Sequence, residues 1–106
     1  MKAIINEDER LVCVITIGYG ETNGVVRKSK TIDEVNKSKN YPDWYKKGIE
    51  FALLAPTAMN QQKFKFEYLG DDNVRVLSGR GAMTKIDLGI VKNHFELGAN
   101  ISVNWK

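Results

Sequence analysis

The sequence predicts an α+β fold, a small sheet containing antiparallel strands packed against two longer helices. Three observations lead there. At 106 residues the chain has room for one domain and one core. Its central stretch alternates apolar and polar residues with the period of a strand, and amphipathic runs of helical period flank it on both sides. The expected order is strand, short helix, long helix, hairpin, long helix, all in a single domain over residues 1–106.

Each element has its own signature. Arg10 to Ile17 is apolar on both faces, which predicts a buried strand, and Gly18-Tyr19-Gly20 stops it. Thr31 with Glu34 three positions later is a capping-box pattern, so a short helix is expected over Ile32 to Asn36. A second helix should start at Pro42-Asp43, since proline suits a first helical position, and run to about Leu54. Pro56 ends it by forcing the preceding residue out of the helical region. Phe64 to Tyr68 and Val74 to Leu77 then pair as a hairpin around a four-residue loop, Gly70 to Asn73. Thr84 and Asp87 form a second capping box that opens a helix from about Lys85 to Ala99, with Ile86, Ile90, Val91 and Phe95 along its apolar face. Asn100 to Lys106 carries no strong signal.

Composition narrows the function. The 42% hydrophobic and 27% charged fractions are those of a soluble globular protein. No apolar run approaches the roughly 20 residues of a membrane helix, and Met1 to Arg10 lacks the long apolar core of a signal peptide, so the expected address is the cytoplasm. A net charge of +3 is too mild for a nucleic-acid domain. The basic residues nevertheless concentrate between Arg27 and Lys47, a patch better suited to a small phosphate than to a polyanion. Cys13, the single cysteine, lies in an apolar run where a buried inert thiol is expected. With one His and one Cys, a structural zinc site cannot be built and no metal is expected.

Few residues are placed to do acid–base or nucleophilic work. Gly18-Tyr19-Gly20 follows a strand as a dinucleotide fingerprint would, but Gly24 falls off the required spacing and no long helix follows. His94 sits beside the apolar stripe of its helix, where a partly buried structural role is expected, and no nucleophile has a His and an acid arranged around it. Two segments remain. Arg27-Lys28-Ser29-Lys30 is held between a strand and a capped helix, and could clamp a terminal phosphate or be a solvated basic turn. Ala55 to Gln62 hands a proline-stopped helix to a hydroxyl and three amides, which donate and accept at once and suit a heterocycle's edge, or an ordinary polar loop.

Taken together, the segments resemble one family. Val14-Ile15-Thr16-Ile17-Gly18-Tyr19-Gly20 with Arg27-Lys28-Ser29-Lys30 and Ile32-Asp33-Glu34-Val35 is similar to the glycine–tyrosine and basic stretch of nitroreductases. Leu54 to Phe66, containing Ala55-Pro56-Thr57-Ala58-Met59-Asn60-Gln61-Gln62, resembles that family's Ala-Pro-Ser…Asn…Gln stretch. Ile86-Asp87-Leu88-Gly89-Ile90 with His94 resembles its Asp-Leu-Gly helix. The order matches a divergent, permuted branch, and the likeness runs from about Leu11 to Ala99.

The resemblance implies part of the nitroreductase fold, and a flavoprotein binding FMN noncovalently. Such an enzyme passes electrons from NAD(P)H to nitroaromatic or quinone-type acceptors. It implies Arg27, Lys28 and Lys30 as contacts to the FMN phosphate, and Pro56, Thr57 and Asn60 as residues facing the ring. No catalytic side chain is expected, because the flavin carries the chemistry. The family's arginine-rich N-terminal segment has no counterpart here, and Lys63-Phe64 replaces the usual Pro-Trp. The resemblance therefore implies completion by a homodimer partner or a missing N-terminal half. The alternative expectation is a flavin-free dimerisation module.

Overall fold

The computed structural model describes residues 4–106. Its elements are a short helix α1 (Ile32–Val35), helix α2 (Asp43–Ala52), a 3-10 turn (Ala58–Asn60), strands β1 (Phe64–Gly70) and β2 (Asn73–Ser78), helix α3 (Thr84–Ala99) and strand β3 (Asn104–Trp105). The sheet order is β1-β2-β3, with β1 and β2 antiparallel and β3 parallel to β2. This is the α+β architecture expected.

Alternation along β1 puts Phe64 and Phe66 inward and Lys65 outward, against Leu77 on β2. The hairpin turns through Asp71-Asp72, between the paired residues Gly70 and Asn73. Gly70 at φ 98° and Asp71 at φ 48° supply the positive dihedrals that so tight a reversal needs, and the strands run closer to the turn than the four-residue loop expected. The core lies where the hairpin meets α2 and α3. Tyr45 and Ile49 from α2, Phe66 and Val74 from the sheet, and Val91 and Phe95 from α3 are all fully buried. Phe95 is its hub. It stacks on Phe66 at 4.9 Å and meets Tyr45 and Trp105 edge-on at 5.7 and 5.4 Å. Tyr45 is buried up to its hydroxyl, which donates to Asn36 Oδ1 at 2.9 Å, and burial pushes the phenol above its ordinary pKa.

The capping box of α1 is present, with the Thr31 N–H donating to Glu34 at 2.7 Å. Helix α2 stops at Ala52, two residues before Leu54, and Pro42 is its cap rather than its first residue. At α3 the sequence expectation fails. Met83, in a left-handed conformation, occupies the cap, and Thr84 is the first helical residue. Asp87 does not cap its own helix because its carboxylate accepts from the loop after α2 instead.

The largest correction concerns Arg10 to Ile17. Residues 9–20 have no regular secondary structure, and Val12, Ile15 and Ile17 are 77%, 80% and 97% exposed. Cys13, expected to be buried, is exposed with them. A strand apolar on both faces needs a neighbour and a cover on each side. In this chain α2, α3 and the hairpin close the core around one another without the segment, which pairs with no strand of the sheet. The third strand of the sheet is instead the short β3, formed from the tail that the sequence left undetermined. The arm also accounts for a radius of gyration of 16.1 Å, against about 13 Å for a compact chain of this length.

Candidate functional site

The two segments singled out in the sequence meet in space. Both Asn60 amide atoms reach across, Nδ2 donating to the Lys28 carbonyl at 2.7 Å and Oδ1 accepting from Arg27 at 3.3 Å. The Lys30 N–H donates to Gln62 Oε1 at 2.9 Å, and its ammonium donates to the Gln62 carbonyl at 3.0 Å. Roughly thirty residues of chain are closed into one polar cluster.

Gln62 holds that cluster together. Only 2% exposed, it also donates through Nε2 to Ser29 Oγ and the Leu53 carbonyl, at 3.1 and 3.2 Å, while its backbone N–H donates to Thr57 Oγ1 at 3.1 Å. Its polar atoms are thereby satisfied, as a buried amide requires. Asp87 does the same from the opposite side. Buried on α3, it accepts from the Ala58 N–H at 3.0 Å and from Gln61 Nε2 at 2.7 Å. Sequence reasoning gave neither residue this task. The signal available for Asp87 was the Asp-Leu-Gly pattern, and for Gln62 the third of three clustered amides.

Arg27 is committed to the backbone. Its guanidinium donates to the Ala55 carbonyl from both terminal nitrogens at 3.2 Å, and to the carbonyl of Leu53, the C-terminal cap of α2. These carbonyls have no helical partner, and the negative end of the helix dipole favours a cation there. The loop it braces is strained, because Met59, Asn60 and Gln62 take φ values of 53°, 51° and 45° without being glycine.

Beside the cluster lies a cavity of about 250 Å³ lined by Lys28, Ser29, Lys30, Glu34, Asn60 and Gln62. Three of the six expected cofactor residues border it directly. Thr57 braces the loop through Gln62, Pro56 is exposed next to it, and Met59 is 97% exposed at its tip. The Thr31 N–H holds the Glu34 carboxyl below its ordinary pKa, and this carboxylate also lines the space. His94 is half-buried on α3, with Nδ1 at 3.0 Å from the Ile90 carbonyl, the structural role expected of it. Among the described residues, no three His, Cys, Asp or Glu side chains gather as metal ligands. No helix is long and apolar enough to cross a membrane.

No curated protein and no solved structure matches the chain significantly. A model of the family described as "Putative TM nitroreductase" matches residues 1–99, a span that includes the basic segment, the amide loop and the Asp87 helix. The match covers nearly the whole chain and the segments that build the cluster, and the chain belongs to this nitroreductase family.

Proposed function

We propose that the chain supplies part of an FMN site in a nitroreductase-type oxidoreductase, which takes electrons from NAD(P)H and delivers them to nitroaromatic or quinone-type acceptors. The observation that carries this is the convergence of the basic segment and the amide loop on one cavity. The residues fit FMN in part. The Lys28 and Lys30 ammonium groups and the Ser29 hydroxyl suit a phosphate. Exposed Pro56 and Met59, beside Thr57 and Asn60, would offer a ring an apolar edge and polar neighbours. Arg27 enters as a positioning residue, since its guanidinium already holds the loop backbone. A flavin held here would supply the hydride- and electron-transfer chemistry. This chain's residues orient it and set its surroundings.

The site is open on one side, and the exposed arm supports a second copy of the chain as the means of closing it. Leu11, Val12, Val14, Ile15 and Ile17 are each about half exposed or more, an apolar surface larger than isolated hydrophobic residues explain. The same observation supports the second reading, a dimerisation module without flavin. Titrating FMN into the purified protein separates them. Saturable quenching of flavin fluorescence supports the first reading. A protein that dimerises and leaves flavin fluorescence unchanged supports the second.

A further inference from the structure

A second cavity lies on the other side of Lys30, at the start of the hairpin. It encloses about 280 Å³, and four lysines line it, Lys30, Lys37, Lys63 and Lys65, together with Phe64 and Leu77. The lysines come from four places in the chain: before α1, just after it, ahead of β1, and within β1. No carboxylate among the described residues lines this cavity. The one ion pair among those residues joins Arg75 to Glu67, so Glu67, two positions along β1 from Lys65, is already engaged. Lys30 and Lys63 each direct one donor to a backbone carbonyl, of Gln62 and Arg80 respectively, and an ammonium has three donors. Lys30 also feels the Glu34 carboxylate on its other side, but no carboxylate lines this concavity, and four lysines around it concentrate anions there.

We propose that this pocket binds the phosphate or diphosphate group of a small molecule, at a place separate from the amide loop. Lysine ammoniums are compact point charges that suit a multiply charged oxygen cluster approached from several directions, without the fork geometry that arginine brings to a planar carboxylate. The volume lies at the small end of ligand pockets, which start near roughly 300 Å³. It takes such a group with a modest attached body rather than a whole dinucleotide. Phe64, Leu77 and the lysine stems supply an apolar wall for that body. The proposal does not depend on the flavin reading. Arg27, Lys28, Pro56, Thr57 and Asn60 lie outside the pocket's lining, and Lys30 alone is shared.

The test is calorimetric titration of the full chain with inorganic pyrophosphate at low salt, with no flavin present. One pyrophosphate should bind per chain. The exposed pair Lys37→Gln and Lys65→Gln should weaken binding roughly tenfold or more, the loss expected from two charge-assisted contacts. The pair Lys46→Gln and Lys47→Gln removes the same charge from exposed positions on α2 and should change affinity less than about twofold. Equal weakening by the two pairs, or no binding at millimolar pyrophosphate, overturns the proposal. Amide NMR on the unsubstituted chain gives an independent readout. Shifts centred on residues 63–65 and 77–79 support the site, and shifts centred elsewhere refute it.

Discussion

Gln62 makes more polar contacts than any other residue in the cluster, and its own side chain is buried. Replacing it by leucine keeps the volume but removes the acceptor of the Lys30 N–H and the donor to Ser29 Oγ, and leaves the Leu53 carbonyl to Arg27 alone. Losing a hydrogen bond at a buried site costs about 1–3 kcal/mol, so Gln62→Leu should lower the unfolding free energy by about 1–3 kcal/mol in urea denaturation. A change below 0.5 kcal/mol, roughly the scatter of ordinary surface substitutions, would mean that the cluster is not held by this amide. Glu34 gives a pH prediction. Its folded pKa is lowered chiefly by the Thr31 N–H, so the stability it adds is present above the unfolded glutamate pKa and is lost as pH falls through the folded one. Carboxyl NMR titration should place its midpoint below that of an unstructured glutamate, and Thr31→Pro, which removes the N–H, should return it upward. At this scale the sequence revealed the residue types at the site but not their tasks. Lys28 and Asn60 could be picked out as polar residues in promising segments. That Arg27 would brace carbonyls, and Asp87 would leave its own helix end for a loop, depends on contacts 26 to 33 residues apart. Local pattern carries no information at that distance.

Among the elements, the pairing of α2 with α3 makes the sharpest demand. A Cβ on Gly48 would sit 2.7 Å from the Phe95 ring, and one on Gly98 would sit 2.6 Å from the Lys47 carbonyl oxygen. Alanine ordinarily improves a helix by about 1 kcal/mol over glycine, so propensity and packing predict opposite signs here. Packing wins, because the hub of the core cannot retreat and backbone cannot yield. Gly48→Ala and Gly98→Ala should each destabilise the fold by about 1–3 kcal/mol. Gly89→Ala, where a Cβ meets nothing within 4 Å, should stabilise it. Thermal melts of the three variants check the signs. Helices α1 and α2, the hairpin and the body of α3 were readable because their periodicity and stop signals are local. The strand expected at Arg10 to Ile17 was misplaced for a physical reason. Apolar character on both faces states a need for neighbours, and nothing in the segment says whether this chain provides them. Strand β3 was missed because two residues carry no period. It is fixed by tertiary contacts, Trp105 packing on Phe95 and donating to Glu96.

For the whole molecule, the consequence is an apolar arm attached to a finished core. In the proposed dimer the arm is the contact to a second copy, which would both cover it and close the proposed flavin site. Sedimentation velocity should show a dimer at micromolar concentration, and Val12→Asp with Ile15→Asp should return the chain to monomer without altering its circular dichroism below 230 nm. A wild-type chain that stays monomeric at high concentration would remove that part of the account. Nitroreductase family membership is independent of it, resting on the match over residues 1–99. The central claim is that the cluster of Lys28, Lys30, Asn60 and Gln62 is a flavin site. Its most direct test is FMN fluorescence titrated with the dimeric protein, beside Lys28→Glu, which reverses a charge at the cavity without touching the core. The account predicts saturable quenching by the wild-type chain and at least roughly tenfold weaker binding by the variant, as loss of a charge-assisted phosphate contact requires. Unquenched FMN at protein concentrations where the dimer is fully formed, or identical titrations for both proteins, would contradict it.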